Sequence, residues 1–195
     1  MSLAAAESAD VQSLAARFVS APQLFAPEDA RRRLAGWLGD LPEAQQGAVE
    51  AICRDLPLAR AMLEGIAEAS PYLFDLVRGD AERTIALLGC DPERRFADLL
   101  SGLRAGLATA EDEAAAMRYL RRMKAEAALL IALCDIGGVW PVMQVTAALT
   151  DVAVTATRCS VRWLLAQEAA RGRIVPADPE DPEAGCGFIV TTCRN

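Results

Sequence analysis

The amino-acid sequence predicts an all-α fold, a helical bundle, and three observations support that prediction. Apolar residues make up 53% of the 195 positions, whereas aromatic residues make up only 5%. Ala and Leu dominate the apolar set, and both lose little conformational entropy in a helix. Proline and glycine recur along the chain at positions typical of helix starts and helix ends. Two long apolar stripes, with steps of three and four residues, occupy the last part of the helical region.

Proline, acidic residues and glycine mark where the predicted helices begin and end. Pro27, Pro42 and Pro92 each stand where the first turn of a helix tolerates proline, and a glutamate follows each of them. Acidic side chains are favoured there because the helix N-terminus carries a partial positive charge. Glycines such as Gly39 and Gly89 stand where helices would end. The predicted helices cover residues 8–20, 28–38, 43–54, 57–69, 71–78, 80–88, 92–105, 111–135 and 141–171.

The last two helices carry the clearest periodicity. Thr109 with Asp112 resembles a capping box that opens the first of them. Gly137-Gly138 ends that helix, and Pro141 helps to open the next. The apolar stripe of the first helix contains Met117, Leu120, Met123, Ala127, Leu130 and Cys134, and that of the second contains Val142, Val145, Leu149, Val152, Ala156, Cys159, Trp163 and Ala166.

We expect these two helices to form a long antiparallel pair near the C-terminal end of the bundle. Their stripes form heptad-like seams over several turns, and the tight turn between them brings the seams face to face. Leu130 and Leu149 are therefore predicted to be buried. Replacing Leu149 by Asp is expected to cost several kcal/mol, because it would place a charge in the core.

The chain is predicted to have three parts. Residues 1–172 form a helical module, and residues 173–184 form a linker rich in proline and acidic residues, in which a helix cannot continue. Residues 185–195 contain the run Phe188-Ile189-Val190, which is typical of a buried β-strand. The sequence offers no second strand with which it could form a sheet. We interpret this last part as the truncated start of a second, sheet-containing domain.

The charge and the hydropathy disfavour two classes of partner. The chain has 27 acidic and 20 basic residues, a net charge of −7, and nucleic-acid binding requires a basic surface. The clusters Arg31-Arg32-Arg33 and Arg121-Arg122 are interpreted as solvated helix faces. Residues 127–149 are long and apolar enough to suggest a membrane span. Asp135 and Pro141 would then lie at bilayer depth, so a buried helix–turn–helix is the better interpretation.

No catalytic, cofactor-binding or metal-binding residues are assigned from the sequence. The chain has no His, which removes imidazole as a general base and as a metal ligand. Its six Cys include no Cys-x-x-Cys pair, and we expect them to be reduced and metal-free. The N-terminus lacks the features of a signal peptide, so a cytoplasmic location is expected. Gly185-x-Gly187 is a weak indication of a phosphate loop, because such loops follow a strand and precede a helix.

Three segments carry a resemblance to a known family. They are "SPYLFDLVRGD" (70–80), "MRYLRRMKAEAALLIALCDIGGVWPVMQVTAALTDVAVTATRCSVRWLL" (117–165) and "PEAGCGFIV" (182–190). In this order and at these spacings, they resemble the bacterial bifunctional glutamine synthetase adenylyltransferase/adenylyl-removing enzymes. The resemblance covers nearly the whole chain from about residue 50.

The resemblance implies a part of a larger enzyme. In the family, the strand leads into a glycine-rich loop and a Ser-Asp-x-Asp motif whose aspartates hold magnesium at the ATP phosphates. This sequence departs after Val190 and reads Thr-Thr-Cys-Arg-Asn instead. The resemblance therefore implies that this chain is the N-terminal helical part of such an enzyme. By itself it is expected to be catalytically inactive and to hold no cofactor, because ATP and magnesium bind in the full-length family. The implied partners are glutamine synthetase and the PII signalling protein. The alternative is a stand-alone all-α protein-interaction module without enzymatic activity.

Overall fold

A computed structural model describes residues 12–178 and 181–187. These residues form one 3-10 turn and eight α-helices and contain no strand, which confirms the predicted all-α fold class. The 3-10 turn is Leu14–Arg17. The helices are α1 (Pro27–Gly39), α2 (Glu43–Asp55), α3 (Pro57–Ala69), α4 (Pro71–Gly79), α5 (Ala81–Gly89), α6 (Pro92–Ala108), α7 (Glu113–Ile136) and α8 (Val142–Ala170).

Proline and short polar side chains start the helices, as the sequence predicts. Proline occupies the first turn of α1, α3, α4 and α6. Ser70 caps α4 and Asp80 caps α5, each by accepting a hydrogen bond from the backbone N–H three residues further on. Asp91 caps α6 in the same way. These caps satisfy amide groups that have no partner inside the helix, and they allow short helices to follow one another with almost no linker.

The main hydrophobic core is built around α3. Residues 62–67 of this helix are all buried, and α3 contacts α1, α2 and α4. The C-terminal half of α7 completes this core with fully buried leucines that include Leu130. A second, smaller apolar cluster joins Leu103 and Leu107 of α6 to Met123 and Ala127 of α7, with part of α8 packed against it.

The predicted pair of long helices is in contact, and a third helix contacts both. α7 and α8 touch each other, and α6 touches both of them, so that the C-terminal end of the molecule is a three-helix assembly. Leu130 is fully buried, as predicted. The antiparallel direction of α7 and α8 stays a prediction.

Leu149 does not belong to the core, and the prediction that it is buried is wrong. Leu149 is 53% exposed, and Val142 at the start of the same apolar stripe is 73% exposed. Val145 and Ala148 are buried in their place. Successive residues lie about 100° apart around a helix, so the residue after Ala148 points past the edge of the contact. The expected large cost of Leu149→Asp therefore does not hold.

The segment predicted as a helix over 8–20 is mostly not helical within the described residues. After the 3-10 turn, the backbone becomes extended at Phe18. The amides of Val19 and Ser20 then donate to the carbonyl oxygen of Gly137 at 2.9 and 3.3 Å, and the Ser20 hydroxyl donates to the carbonyl oxygen of Ile136 at 2.7 Å. Tertiary hydrogen bonds to the end of α7 thus replace the local helical ones.

The predicted capping box at the start of α7 is wrong in one of its two residues. Asp112 is the N-cap, and its carboxylate accepts from the amide of Ala115 at 2.6 Å. Thr109 belongs instead to the end of α6, where its hydroxyl donates to the carbonyl oxygens of Ala105 and Gly106 at 3.3 and 3.2 Å. A threonine hydroxyl can form a hydrogen bond with the backbone at either end of a helix, and here it bonds to the end of α6.

The part of the chain after α8 contains no further helix within the described residues. Pro182 in the predicted linker is buried, and Asp181 accepts a hydrogen bond from Arg162 of α8 at 3.3 Å. The predicted strand 188–190 lies outside the described residues, and the division into residues 1–172, 173–184 and 185–195 stays a prediction. Within residues 12–178 and 181–187, no helix combines the length and the apolarity that crossing a bilayer would need.

Candidate functional site

A cavity of about 560 Å³ lies where α6, α8 and the segment around Pro182 meet. Leu107 of α6 and Trp163 of α8 contribute large apolar surfaces to it, and Pro182 and Glu183 close one side. The indole N–H of Trp163 donates to the carbonyl oxygen of Ala110 at 3.2 Å, which fixes the ring against the α6–α7 connection. The volume falls within the usual range of small-ligand pockets.

Arginine side chains surround the apolar surface of this cavity. Arg104 comes from α6, and Arg158 and Arg162 come from α8, one helical turn apart. Glu183 places a negative charge on the side of the cavity that the segment around Pro182 forms. The guanidinium of Arg162 donates a hydrogen bond to the carboxylate of Asp181. The combination of an apolar lining and a cationic rim can bind a molecule or a peptide segment.

The thiol that lines the cavity is poorly suited to nucleophilic attack. Cys159 is its one sulfur nucleophile among the described residues, and burial raises the pKa of this thiol, although the positive charge of Arg104 acts in the opposite direction. The thiol is therefore protonated near neutral pH, and the thiolate is the reactive form. The geometry supports binding and does not support nucleophilic catalysis.

The described residues contain no ready cluster of ligands for a metal ion. Within them, no group of three or more His, Cys, Asp or Glu side chains is placed to hold a metal ion. Gly185 and Gly187 have left-handed backbone angles, with φ values of 67° and 70°, but they follow α8 and do not open a described helix. That this chain has no catalytic, cofactor-binding or metal-binding residues stays a prediction.

The cysteines of the helical part pack as small apolar residues. Cys53, Cys90, Cys134 and Cys159 are free thiols. Burial raises the pKa of Cys90 to about 11, and it raises that of Cys134 further. Both side chains pack in the main core or against it. Cys193 lies outside the described residues.

One charged group that the sequence did not single out holds three segments together. The two terminal guanidinium nitrogens of Arg17 donate to the carboxylate of Glu93, at 2.6 and 2.8 Å, and the indole N–H of Trp140 donates to it at 2.8 Å. The bonds to Arg17 are the main cause that lowers the pKa of Glu93 to about 2. Glu93 thus connects the N-terminal turn, α6 and the α7–α8 turn. Its contacts indicate a structural role.

Comparison with known proteins places the chain in a family. The family model described as glutamate-ammonia ligase adenylyltransferase matches residues 61–192. A protein of Rhodopseudomonas palustris strain BisB5, named bifunctional glutamine synthetase adenylyltransferase/adenylyl-removing enzyme, is 56% identical over 178 residues, which are 91% of this chain. Similar proteins of the same name are 56% identical over 92% of the chain in Bradyrhizobium diazoefficiens and 44% identical over 94% in Xanthobacter autotrophicus. No solved structure matches the chain.

The match covers much of this chain but little of its relatives. The aligned residues are 18% of the length of each of these three proteins. The family model and the identities nevertheless agree, and the match includes all of α4 to α8. The resemblance read from residues 70–80, 117–165 and 182–190 is thereby confirmed. This chain belongs to the glutamate-ammonia ligase adenylyltransferase family.

Proposed function

We propose that the chain is the N-terminal helical part of a bifunctional glutamine synthetase adenylyltransferase/adenylyl-removing enzyme. The observation that carries this proposal is the 56% identity over 91% of the chain with a relative of that name. The whole enzyme would transfer AMP from ATP to a tyrosine of glutamine synthetase, and would remove it by phosphorolysis. It would thereby regulate nitrogen assimilation.

In this proposal the helical part positions the catalytic domain and does no chemistry itself. The magnesium-binding aspartates of the family would lie in a domain that follows α8, and ATP and magnesium would bind there. The cavity between α6 and α8 supports this role, because its apolar lining and arginine rim provide a surface on which another part of the enzyme can pack. The partners would be glutamine synthetase and the PII signalling protein, in the cytoplasm, without nucleic acid or membrane.

A chimeric enzyme tests the proposal. The aligned segment of the Rhodopseudomonas palustris relative would be replaced by the 178 residues of this chain that align with it, and AMP transfer to glutamine synthetase would be measured with ATP and magnesium. We expect the chimera to retain activity and the isolated 195-residue chain to have none. The matched control is the same chimera with Leu130→Asp, which should unfold the helical part because Leu130 is fully buried.

Two outcomes would contradict the proposal. A folded chimera without AMP transfer would favour the alternative, a stand-alone all-α protein-interaction module. Turnover by the isolated chain would mean that the active site has been placed in the wrong part of the enzyme. Circular dichroism and size-exclusion chromatography would establish that each protein is folded before activity is compared.

A further inference from the structure

The hydroxyl group of Thr155 is buried in the wall of the cavity between α6 and α8. Thr155 is only 6% exposed, and within residues 12–178 and 181–187 its hydroxyl has no hydrogen-bond partner. In the same helix the hydroxyls of Thr146, Thr150 and Ser160 each donate to the carbonyl oxygen four residues earlier, at 2.9, 2.9 and 2.7 Å. Thr157 makes no such bond either, but it is less deeply buried and does not line the cavity. Buried polar groups are nearly always hydrogen-bonded, so Thr155 has a bond to offer to a molecule in the cavity.

Two arginines close to Thr155 also have no partner. Arg158 lies three residues after Thr155 on the same face of α8, and Arg104 reaches the cavity from α6. In the part of the chain that the structure describes, neither guanidinium takes part in an ion pair or a hydrogen bond. Arg162 differs from them, because it pairs with Asp181 at 3.3 Å. The groups that could still bind a ligand thus lie on one side of the cavity.

The charges of the cavity leave a small positive excess. Arg162 and Asp181 balance each other, and Glu183 offsets one of the two unpaired arginines. The Cys159 thiol, which lines the same cavity, is surrounded by these charges. Burial is the main cause that raises the pKa of this thiol and Glu183 raises it further, while all three arginines act in the opposite direction. One negative charge on a ligand would complete the balance.

The remainder of the cavity is apolar. Leu107 and Trp163 supply its large apolar surfaces, and the buried ring of Pro182 lies beside them. The indole N–H of Trp163 is already used by the carbonyl oxygen of Ala110, so the ring offers the cavity an apolar surface. A wholly polar ligand would leave this surface in contact with water, and a wholly apolar one would leave the hydroxyl and the arginines without partners.

We propose that this cavity is a binding site for a small organic anion that combines an apolar body with a single negative group. The apolar body lies against Leu107 and Trp163. The negative group accepts hydrogen bonds from the hydroxyl of Thr155 and from the guanidinium groups of Arg104 and Arg158. The inference depends only on residues of this chain and does not rest on the proposed function. It is compatible with the packing of another part of the enzyme nearby, because small-molecule sites occur preferentially at domain interfaces.

Two fluorescent probes that differ by one negative group test the inference. Anilinonaphthalene sulfonate carries a sulfonate on an aromatic body, and N-phenylnaphthylamine is the same body without the sulfonate. Each probe would be titrated into the 195-residue chain, whose folding is checked by circular dichroism. We expect the sulfonate to saturate one site and to bind about tenfold more tightly than the neutral probe. Equal affinity for the two probes, or no saturable binding of the sulfonate, would overturn the inference.

Charge-matched variants locate the site. The first variant carries Arg104→Gln and Arg158→Gln. The control carries Arg31→Gln and Arg54→Gln, which remove the same charge from exposed ion pairs outside the cavity. The first should bind the sulfonate about tenfold more weakly and the neutral probe unchanged, while the control binds both like the original chain. If the two variants bind the sulfonate equally well, the site lies elsewhere and the inference is wrong.

Thr155→Val separates binding from a structural role. Because the hydroxyl has no partner, its removal should weaken sulfonate binding about threefold or more without lowering the midpoint of urea denaturation. Thr84→Val is the matched control, since Thr84 is fully buried and its hydroxyl donates to the carbonyl oxygen of Val77 at 3.0 Å. This control should lower the midpoint. If Thr155→Val lowers the midpoint as Thr84→Val does, or leaves sulfonate binding unchanged, the hydroxyl does not serve a ligand and the inference fails.

Discussion

Replacing Gly65 by alanine is predicted to destabilise the protein, although alanine normally stabilises a helix. Gly65 lies inside α3, and Pro22 of the N-terminal segment crosses it closely. A Cβ atom at position 65 would lie 2.6 Å from both Cβ and Cγ of Pro22. Carbon atoms pack best at about 3.5–4.0 Å, so one of the two segments would have to move by roughly 1 Å.

Pro22 cannot move freely, because the chain is anchored on both sides of it. Before it, the Ser20 hydroxyl donates to the carbonyl oxygen of Ile136 at 2.7 Å. After it, the amide of Phe25 donates to the carboxylate of Glu68 at 3.0 and 3.1 Å. A proline ring also lacks a side-chain torsion that could swing it away. The contact must therefore be relieved by shifting backbone.

The magnitude follows from two opposing contributions. Overpacking of this kind costs about 1–3 kcal/mol. Replacing glycine by alanine in a helix gains about 0.8–1 kcal/mol. We therefore expect Gly65→Ala to lower the free energy of unfolding by up to about 2 kcal/mol. Gly47→Ala in α2 is the matched control, since a Cβ there would meet no atom within 4 Å, and it should raise that free energy by about 1 kcal/mol.

Urea denaturation followed by circular dichroism measures both variants. Adding Pro22→Gly to Gly65→Ala removes the ring atoms that clash, and the double-mutant cycle should then give a coupling energy of about 1 kcal/mol or more. If Gly65→Ala stabilises the protein as much as Gly47→Ala does, the close crossing of Pro22 over α3 is wrong.

Three further predictions concern the core, the pH dependence and the thiols. Leu130→Ala should cost about 2–5 kcal/mol and Leu149→Asp less than about 1 kcal/mol in urea denaturation, because only Leu130 is buried; equal costs would contradict this. The pKa of Glu93 is lowered, so its stabilisation is present above about pH 4.5 and is lost as the pH falls towards 2. Because the Glu93 side chain is 43% exposed, the effect should be only about 1 kcal/mol, and Glu93→Gln should abolish it in acid unfolding. Purified protein should contain no stoichiometric zinc by metal analysis, since no described cluster could hold it.

The sequence predicts the parts of the fold that local chemistry determines. Helix starts at Pro27 and Pro92 need only the residues around them, and both were located to within one residue. Local chemistry does not determine whether Leu149 is buried. If the buried stripe of a helix is assigned one residue too far along the sequence, an exposed side chain is predicted to be buried. The shape of the segment before Pro22 depends on a carbonyl group far away in the sequence, which no local pattern encodes.

The candidate surfaces were less accessible to sequence reasoning than the helices. The arginines of the cavity come from α6 and α8, which only the fold brings together. A difference in local charge was visible in the sequence, because Arg121 has the basic residues Arg118 and Lys124 three positions before and after it, whereas Arg31 has Glu28 three positions before it. That Glu126 is occupied by Arg95 could be learned only from the packing of α6 on α7.

The hydrogen bond from Ser20 to Ile136 sets an order for events during synthesis of the protein. These residues are 116 positions apart. At a translation rate of about 5–20 residues per second, Ile136, whose carbonyl oxygen is the acceptor, is synthesised roughly 6–23 s after Ser20. Helices α1 to α5 are synthesised within that interval, so the contacts of this segment with Gly65 and Glu68 of α3 can form before its hydrogen bond to Ile136 can. Two segments only six residues apart along the chain, the 3-10 turn and the segment around Ser20, thus become able to complete their contacts at different times during synthesis.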